Sequence, residues 1–420
     1  MQPGALFDLT TDLLRQVQRF DAPADKVVSG FFKAERALGQ RERHSVAETV
    51  YTALRQRLLL LHLAHSGPGT LERRMAMLAW SGNESFLRAA LSVPEQEWLA
   101  KAQAVNRHAL PDKLRHNQPD WLANALRDQL GDEAFWRLSA ALSEPAGLDL
   151  RVNTFKAKRD DVQRALLAAG FAATPTPHSP WGLRLQGKPA INKLDVFTQG
   201  EVEVQDEGSQ LLALLLDAKR GEMVADFCAG AGGKTLALGA AMRSTGRLYA
   251  FDTSGHRLAA LKPRLARSGL SNVHPVQIAH ERDERIKRLA GKMDRVLVDA
   301  PCSGLGTLRR NPDLKWRQSP QSVQEMQVKQ TAILAGAARL LKSGGRLAYA
   351  TCSLLRAENE EIAAAFDASH GREFEALPVA PLLEVANVAG FSDLVTGSYL
   401  RLWPHQHGTD GFFAAVWQKR

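Results

Sequence analysis

Cysteine is scarce in this chain of 420 residues, occurring only at Cys228, Cys302 and Cys352. The sequence contains no Cys-x-x-Cys pair and no cluster of cysteines with histidines. These absences argue against a disulfide framework and against a structural zinc site, and we predict no bound metal. Each cysteine is therefore either apolar core filler or a chemical reagent.

Long hydrophobic runs are also missing. No stretch of 18 apolar residues occurs, and the first four residues, Met-Gln-Pro-Gly, do not begin a basic segment followed by an apolar one. The sequence thus predicts neither a membrane-spanning helix nor a secretory signal, and by default a cytoplasmic protein without a membrane partner. A content of 45% hydrophobic and 24% charged residues is typical of a folded chain, and the length predicts two or three domains.

The net charge of +9 is unevenly distributed along the chain. Residues 1–145 carry 18 basic and 17 acidic side chains, so nearly all of the positive excess lies in residues 146–420. Such an excess of lysine and arginine favours a polyanionic partner.

Hydrophobic periodicity divides the chain into three predicted domains. Residues 1–145 have apolar positions at helical spacing and predict an all-helical domain. Residues 146–200 combine short strand-like pieces with prolines, as in a small α/β module or a linker. Residues 201–420 alternate short apolar runs with helical segments, which indicates the parallel sheet of a doubly wound α/β domain. Its predicted strands are Met223–Phe227, Arg247–Phe251, Asp294–Val298 and Arg346–Ala350.

A glycine-rich turn, Asp226-Phe-Cys-Ala-Gly-Ala-Gly-Gly-Lys-Thr235, follows the first of these strands and opens a helix. At such a position backbone amides and a helix dipole meet a ligand. The phosphate loop of nucleoside triphosphatases would need glycine at Cys228, and a dinucleotide fingerprint would need glycine at Thr235. Neither pattern is complete.

Asp252 ends the next predicted strand, where a carboxylate accepts hydrogen bonds from ribose hydroxyls. Together with the glycine turn, it fits an adenosine-type ligand without a pyrophosphate. We therefore predict S-adenosylmethionine (SAM) as the cofactor, while a tight turn beside a surface aspartate is the structural alternative.

Cys302 and Cys352 each follow a predicted strand, and each is followed by serine. Ligands of open α/β sheets lie outside the carboxyl ends of the strands, so both thiols should lie at the same rim as the glycine turn. Two cysteines at two strand ends favour a reactive pair over two core fillers.

Two thiols beside SAM suit methylation of carbon 5 of a pyrimidine. Carbon 5 alone is a weak nucleophile, but addition of a thiolate at carbon 6 makes an enamine whose carbon 5 attacks the sulfonium methyl. The adduct must then lose the proton at carbon 5 and expel the sulfur, which a second cysteine can assist. Spacing does not decide which cysteine attacks. Asp299 either hydrogen-bonds the pyrimidine edge or merely orders its loop.

The segment Thr307–Arg317, between the two cysteines, carries four basic residues, one acid and an indole. Cations for phosphates and a ring for a base are elements of single-stranded RNA contact, although such a run is also typical of a solvated loop. The predicted RNA contacts are Arg309, Arg310, Lys315, Trp316 and Arg317.

Through the glycine turn and the segments around the two cysteines, residues from about 148 to 420 resemble the Sun family of RNA cytosine-5 methyltransferases. The helical domain resembles, more loosely, the amino-terminal RNA-binding domain found in that family. The resemblance implies a Rossmann-like SAM-dependent methyltransferase domain and an RNA partner, with 16S ribosomal RNA as the leading substrate. Its further matching motifs are Val204-Gln-Asp-Glu-Gly-Ser209, Arg310-Asn-Pro312, Glu358-Asn-Glu360, Arg401-Leu-Trp-Pro-His405 and Gly408-Thr-Asp-Gly-Phe-Phe413.

By that resemblance, Cys352 is the nucleophile and Cys302 assists release of the methylated base. Asp299 would lie near both the cofactor and the target base. The implied cofactor site comprises Cys228, Ala229, Gly230, Ala231, Gly232, Gly233, Lys234, Asp252, Arg257, His280 and Asp299.

The chain departs from the family pattern at two places. Gly230 and Ala231 stand where the family usually has alanine and proline, which gives a more flexible turn. His280 lies nearest the position of a family aspartate that contacts the adenine side of the cofactor. Either Glu281 or Asp283 substitutes for that aspartate through a loop shift, or the contact is absent.

Two alternative functions remain at this stage. A transfer RNA cytosine-5 methyltransferase would use the same catalytic residues. A non-catalytic RNA-binding ribosome assembly factor would keep the methyltransferase fold without its activity. In each case we expect a monomer.

Overall fold

The structure is a computed structural model that describes residues 1–187 and 189–420. The chain forms two compact units, which we call the helical unit, Met1–Pro145 with Thr307–Ser319, and the sheet unit, Ala146–Gly306 with Pro320–Arg420. The sequence pattern places Thr307–Ser319 in the α/β domain, whereas this segment packs with the helices. Within the described part of the chain, no helix is both long and apolar enough to cross a bilayer.

Amphipathic helices build the helical unit, because apolar residues recur every three or four positions. The first helix, for example, buries Leu6, Leu13 and Val17 on one face. The helices are α1 (Pro3–Val17), α2 (Ala24–Ala34), α3 (Gln40–Arg55), α4 (Arg57–Leu63), α5 (Leu71–Ala79), α6 (Glu84–Ala90), α7 (Val93–Gln103), α8 (Asp112–His116), α9 (Asp120–Leu130) and α10 (Asp132–Leu142), with a 3-10 turn at Arg107–Ala109.

The sheet unit begins with a small antiparallel sheet that is covered by a helix. Its elements are β1 (Leu148–Val152), α11 (Arg159–Ala168), β2 (Ala173–Pro175), β3 (Gly182–Leu185), α12 (Asp195–Thr198) and β4 (Val202–Val204). The strand order is β2-β3-β1-β4, and Leu150, Leu183 and Val162 are buried between sheet and helix. The predicted small α/β module is confirmed.

A larger sheet forms the rest of this unit. Its strands are β5 (Met223–Phe227), β6 (Arg247–Asp252), β7 (Val273–Gln277), β8 (Met293–Asp299), β9 (Leu341–Thr351), β10 (Phe374–Leu377), β11 (Val395–Thr396), β12 (Tyr399–Leu402) and β13 (Phe412–Lys419). The order is β11-β12-β13-β9-β8-β5-β6-β7, with β10 paired to β13. Strands β5 to β9 are parallel, and the four runs predicted as strands are confirmed as β5, β6, β8 and β9.

Helices cover both faces of this sheet, as expected for a doubly wound fold. Val224 and Ala225 are neighbours on β5 but pack into different apolar clusters, because successive strand residues point to opposite faces. The remaining helices, all in the sheet unit except α17, are α13 (Glu207–Leu216), α14 (Gly233–Ala241), α15 (Gly255–Ser268), α16 (Glu284–Lys287), α17 (Leu314–Arg317), α18 (Pro320–Ala338), α19 (Glu360–His370), α20 (Val379–Val385) and α21 (Pro404–His407), with 3-10 turns at Leu305–Thr307, Arg356–Glu358 and Phe391–Leu394.

The segment Thr307–Ser319 supplies hydrogen-bond donors to the end of α3. Lys315 Nζ donates to the backbone oxygens of Arg55 (2.9 Å) and Asn117 (2.6 Å), and Trp316 Nε1 donates to that of Leu54 (2.9 Å). The last carbonyls of a helix have no partner within it, so these side chains satisfy groups that would otherwise be unpaired. Lys315 is buried, and burial lowers its pKa to about 7.

Two of the predicted RNA contacts, Lys315 and Trp316, thus have their donors engaged within the helical unit. A lysine that binds phosphate must present its ammonium to solvent, and that of Lys315 is enclosed by carbonyl groups. Trp316 likewise uses its indole N–H within the unit. The side chains of Arg309 and Arg317 also bond inside it, since Arg309 Nη2 donates to the backbone oxygen of Pro145 (3.5 Å) and Arg317 pairs with Asp313 (3.4 Å).

Candidate active site

The carboxyl ends of the parallel strands converge on one cavity of about 960 Å³ in the sheet unit. Cys228 follows β5, Asp252 ends β6, and Asp299 ends β8. Cys302 lies beyond β8 and Cys352 beyond β9, and all five residues line the cavity. The fold therefore brings together residues that are separated by up to 124 positions in the sequence.

The turn after β5 depends on backbone conformations that favour glycine. Gly230 and Gly232 have φ angles of +58° and +82°. A Cβ atom on Gly232 would lie 2.1 Å from Leu261 Cδ1, so a side chain does not fit there. At Gly230, in contrast, the position that a Cβ atom would occupy is open space. Gly230 lines the cavity together with Ala229 and Ala231.

Asp252 fixes this turn and faces the same cavity. Its Oδ2 accepts a hydrogen bond from Gly230 N (2.8 Å), and its Oδ1 accepts one from Ser254 N (2.7 Å). Each carboxylate oxygen keeps a second lone pair, so the buried carboxylate can accept further bonds from ribose hydroxyls. Arg257, in the first turn of α15, lines the cavity as well. A glycine turn, an acceptor with capacity left and a helix amino terminus fit SAM.

The segment after β7 places one of its two candidate acids at the cavity. His280 and Glu281 line the cavity wall. Asp283 is occupied elsewhere, because its carboxylate accepts hydrogen bonds from Ala279 N (2.9 Å) and Arg285 N (2.8 Å) at the start of α16. Of the two candidate acids, Glu281 is therefore the one that faces the cavity.

Lys234 and Asp299 form an ion pair inside the cavity. Lys234 Nζ donates to Asp299 Oδ2 over 2.8 Å. Burial alone would lower the pKa of Lys234, but the charge of Asp299 and this hydrogen bond outweigh burial and raise the pKa. Lys234 thus remains an ammonium group beside the thiols.

The sulfur atoms of Cys302 and Cys352 are 3.3 Å apart. The hydrogen bond between the two thiols and the burial of Cys302 raise the pKa of Cys302 well above its ordinary value. Cys302 therefore keeps its proton, and the two thiols lie within hydrogen-bond distance of each other. Burial also raises the pKa of Cys228, which makes that thiol a poor nucleophile.

A fully buried carboxylate, Glu358, ties the two cysteine loops together. Its Oε1 accepts from Ser303 N (2.8 Å) and Gln330 Nε2 (3.1 Å), and its Oε2 accepts from the hydroxyl groups of Ser303 and Ser353. Each serine directly follows a cysteine of the pair. In the sequence, the serine that follows each cysteine was the signal for this contact. The acid that accepts from both serines was visible only as part of the motif Glu358-Asn-Glu360.

Helix α18 forms a wall of the cavity that the sequence did not indicate. Met326, Lys329 and Ile333 line the cavity and share one face of the helix, because they are three or four positions apart. Val328 lines it too and is 73% exposed. Helical spacing of this kind is the same for residues that face a core and residues that face a ligand, so the pattern gave no separate signal.

The sheet order, the glycine turn and the carboxylate that ends β6 define a Rossmann-like, SAM-dependent methyltransferase. A family model described as 16S rRNA methyltransferase RsmB/F matches residues 213–418. A second model, described as an RsmF/B-like ferredoxin-like domain, matches residues 118–192. The chain belongs to this RsmB/F methyltransferase family.

Individual relatives agree with this assignment. A Synechocystis protein named as a probable ribosomal RNA small subunit methyltransferase B is 37% identical over 73% of this chain and 67% of its own length. A Bacillus subtilis protein of the same name is 32% identical over 81% of this chain and 74% of its own. The crystal structure of PH0851 superposes with a TM-score of 0.82 at 25% identity, covering 100% of this chain and 99% of that one.

Proposed function

We propose that this protein transfers a methyl group from SAM to carbon 5 of a cytidine in RNA, with 16S ribosomal RNA as the leading substrate. The observation that carries the proposal is the pair of cysteine sulfurs, 3.3 Å apart, in the cavity that also holds the glycine turn. The names of the family model and of the relatives support ribosomal RNA as the substrate.

Cys352 is the nucleophile of the proposed reaction. Its sulfur, freed of its proton to solvent, adds to carbon 6 of the cytosine, so that a C–S bond forms and electron density moves to carbon 5. The raised pKa of Cys302 supports this order, because a thiol that keeps its proton is a poor nucleophile. The resemblance to the Sun family assigns the same role to Cys352.

The cofactor is held by the glycine turn around Gly230, by Asp252 and by Arg257, with Glu281 on the other wall. When bound, SAM supplies an electrophilic methyl group. The helix amino terminus and the backbone amides of the turn orient the ligand against the cysteine pair. Met326 and Ile333 of α18 give the site an apolar wall.

Cys302 serves the second half of the reaction. After carbon 5 has gained the methyl group, its proton leaves to a base and the bond between carbon 6 and the Cys352 sulfur breaks, which returns the thiolate. Cys302 lies within 3.3 Å of that sulfur and assists this elimination. Lys234 and Asp299 stand beside the pair, where they can hydrogen-bond the cytosine edge and balance charge that develops on the ring.

The test is transfer of tritiated methyl groups to defined RNAs by the purified protein. We expect label in 16S ribosomal RNA, released as 5-methylcytidine after digestion to nucleosides. Label in transfer RNA instead would favour the transfer RNA methyltransferase alternative. If SAM binds but no cytosine-containing RNA is labelled, the protein is an RNA-binding assembly factor and the proposal is wrong.

A further inference from the structure

Two arginines outside the cavity hold carbonyl groups of the cofactor turn. Arg264 Nη1 donates to Ala231 O, and Arg151 Nη1 donates to Gly233 O, each over 2.6 Å. Ala231 and Gly233 line the cavity, whereas neither arginine is among the described residues that line it. The arginines therefore contact the turn from the side that faces away from the cofactor.

A buried carboxylate orients Arg264 toward the turn. Glu203 Oε2 accepts from Arg264 Nε (3.1 Å) and Nη2 (2.9 Å), which leaves Nη1 for the Ala231 carbonyl. The Glu203 side chain is only 6% exposed, and its other oxygen pairs with Arg267. Because the guanidinium group is planar and held at two nitrogens, the direction of its third is fixed.

The turn needs such support because its own residues restrain it weakly. Gly230 and Gly232 flank Ala231, both have positive φ angles, and glycine has more conformations to lose than any other residue. Gly230 N is bonded to Asp252, and Gly232 N to the backbone oxygen of Ala229. The Arg264 bond adds a restraint on the carbonyl side of the peptide group whose N–H belongs to Gly232.

We propose that Arg264 is a positioning residue for cofactor binding: with Glu203 it holds the Ala231 carbonyl and keeps the flexible glycine turn in its SAM-binding conformation. The proposal rests on the SAM-binding part of the proposed function. It assigns Arg264 no contact with the cofactor or with the RNA.

The first test is the dissociation constant of SAM, measured by calorimetry without RNA. Loss of one charge-assisted hydrogen bond to the turn should make binding about threefold to tenfold weaker in Arg264→Gln. Arg267→Gln is the matched control, because Arg267 pairs with the same carboxylate of Glu203 but does not contact the turn. We expect a wild-type dissociation constant for the control, even where its melting temperature falls as far as that of Arg264→Gln.

The second test is rescue by Ala231→Pro, which restrains the turn by another means. Ala231 lies outside the left-handed region, and within the described residues its backbone N–H donates no hydrogen bond, so proline would remove no donor that is in use there. In the Arg264→Gln background, proline should restore binding to within about twofold of wild type.

Two results would overturn the inference. Equal binding by wild type and Arg264→Gln would remove the positioning role alone, and so would equal weakening in Arg264→Gln and Arg267→Gln. Failure of the wild-type protein to bind SAM would remove the cofactor assignment itself, which distinguishes failure of the proposed function from failure of this inference.

Discussion

Cys302 Sγ lies 3.3 Å from Cys352 Sγ, although the two residues are 50 positions apart in the chain. The closeness follows from the sheet, because β8 and β9 are parallel neighbours with Asp299 opposite Ala350, so both loops leave the sheet at the same level. Carbons 5 and 6 of a pyrimidine are adjacent atoms, and two thiols this close can act on both within one bound base.

Replacing Cys352, the proposed nucleophile, should abolish the reaction. In Cys352→Ala no covalent bond to carbon 6 can form, so carbon 5 is not activated and methyl transfer should fall by more than about 1,000-fold. SAM binding should change little, which calorimetry can check. Turnover at the wild-type rate would show that Cys352 is not the nucleophile.

Replacing Cys302 should stop the proposed reaction before the RNA is released from Cys352. Cys302→Ala keeps the attacking sulfur but lacks the thiol that assists elimination, so a protein–RNA adduct should accumulate. The adduct is visible as a slower band on denaturing gels, and Cys302→Ala with Cys352→Ala is the control that should not form it. Absence of the band in the single variant would remove the release role of Cys302.

The buried carboxylate of Glu358, which bonds to the serine after each cysteine, should affect both the free energy of unfolding and the rate of methyl transfer. Glu358→Ala leaves the donors of Ser303, Ser353 and Gln330 without their acceptor, which should cost about 2 to 4 kcal/mol of the free energy of unfolding. Chemical denaturation measures this loss.

A milder change at the same position separates rate from folding. Glu358→Gln keeps an acceptor oxygen, so the protein should fold, while kcat falls and the SAM dissociation constant stays unchanged. Glu361→Gln, on the exposed side of α19, is the matched control. If Glu358→Gln and Glu361→Gln both turn over at the wild-type rate, Glu358 does not position the cysteine loops.

Asp226 should make stability depend on pH in a defined direction. Burial raises its pKa from 3.8 to about 7 in the folded state, against the opposing hydrogen bond from Thr235. Between about pH 4 and pH 7 the unfolded chain ionises this group while the folded chain keeps it protonated, so stability falls as pH rises.

The variant Asp226→Asn does not titrate and isolates this contribution. Between pH 5 and pH 7 the wild type should lose about 2 kcal/mol more of its free energy of unfolding than the variant does. Urea denaturation at the two pH values measures the difference. Parallel losses in both proteins would mean that Asp226 ionises normally in the fold.

The parts of the site that were predictable depend on local pattern and on one rule of topology. Short apolar runs mark β5, β6, β8 and β9, and parallel strands end at a common edge. These two facts suffice to bring Asp252, Cys302 and Cys352 to one rim. The glycine turn could also be predicted from local pattern, because the positive φ angle at Gly232 and its close approach to Leu261 require glycine there.

The parts that were not predictable depend on partners distant in sequence. Lys315 and Trp316 belong to a basic segment whose composition suggests RNA contact. In the fold, their N–H groups instead donate to carbonyls at the end of α3 that have no partner within the helix. No local sequence pattern indicates this pairing. Glu358 becomes meaningful only when the fold places it between Ser303 and Ser353. Likewise, the spacing of α18 is that of any core-facing helix.

The most direct test of the central claim, cytosine-5 methylation of RNA by this cysteine pair, is bisulfite sequencing of ribosomal and transfer RNA. The RNA should come from cells that contain the wild-type protein, the Cys352→Ala variant, or no copy of the protein. We predict one or more protected cytosines in 16S ribosomal RNA with the wild-type protein, and loss of that protection in the other two. Identical protection in all three, in every RNA sequenced, would contradict the account.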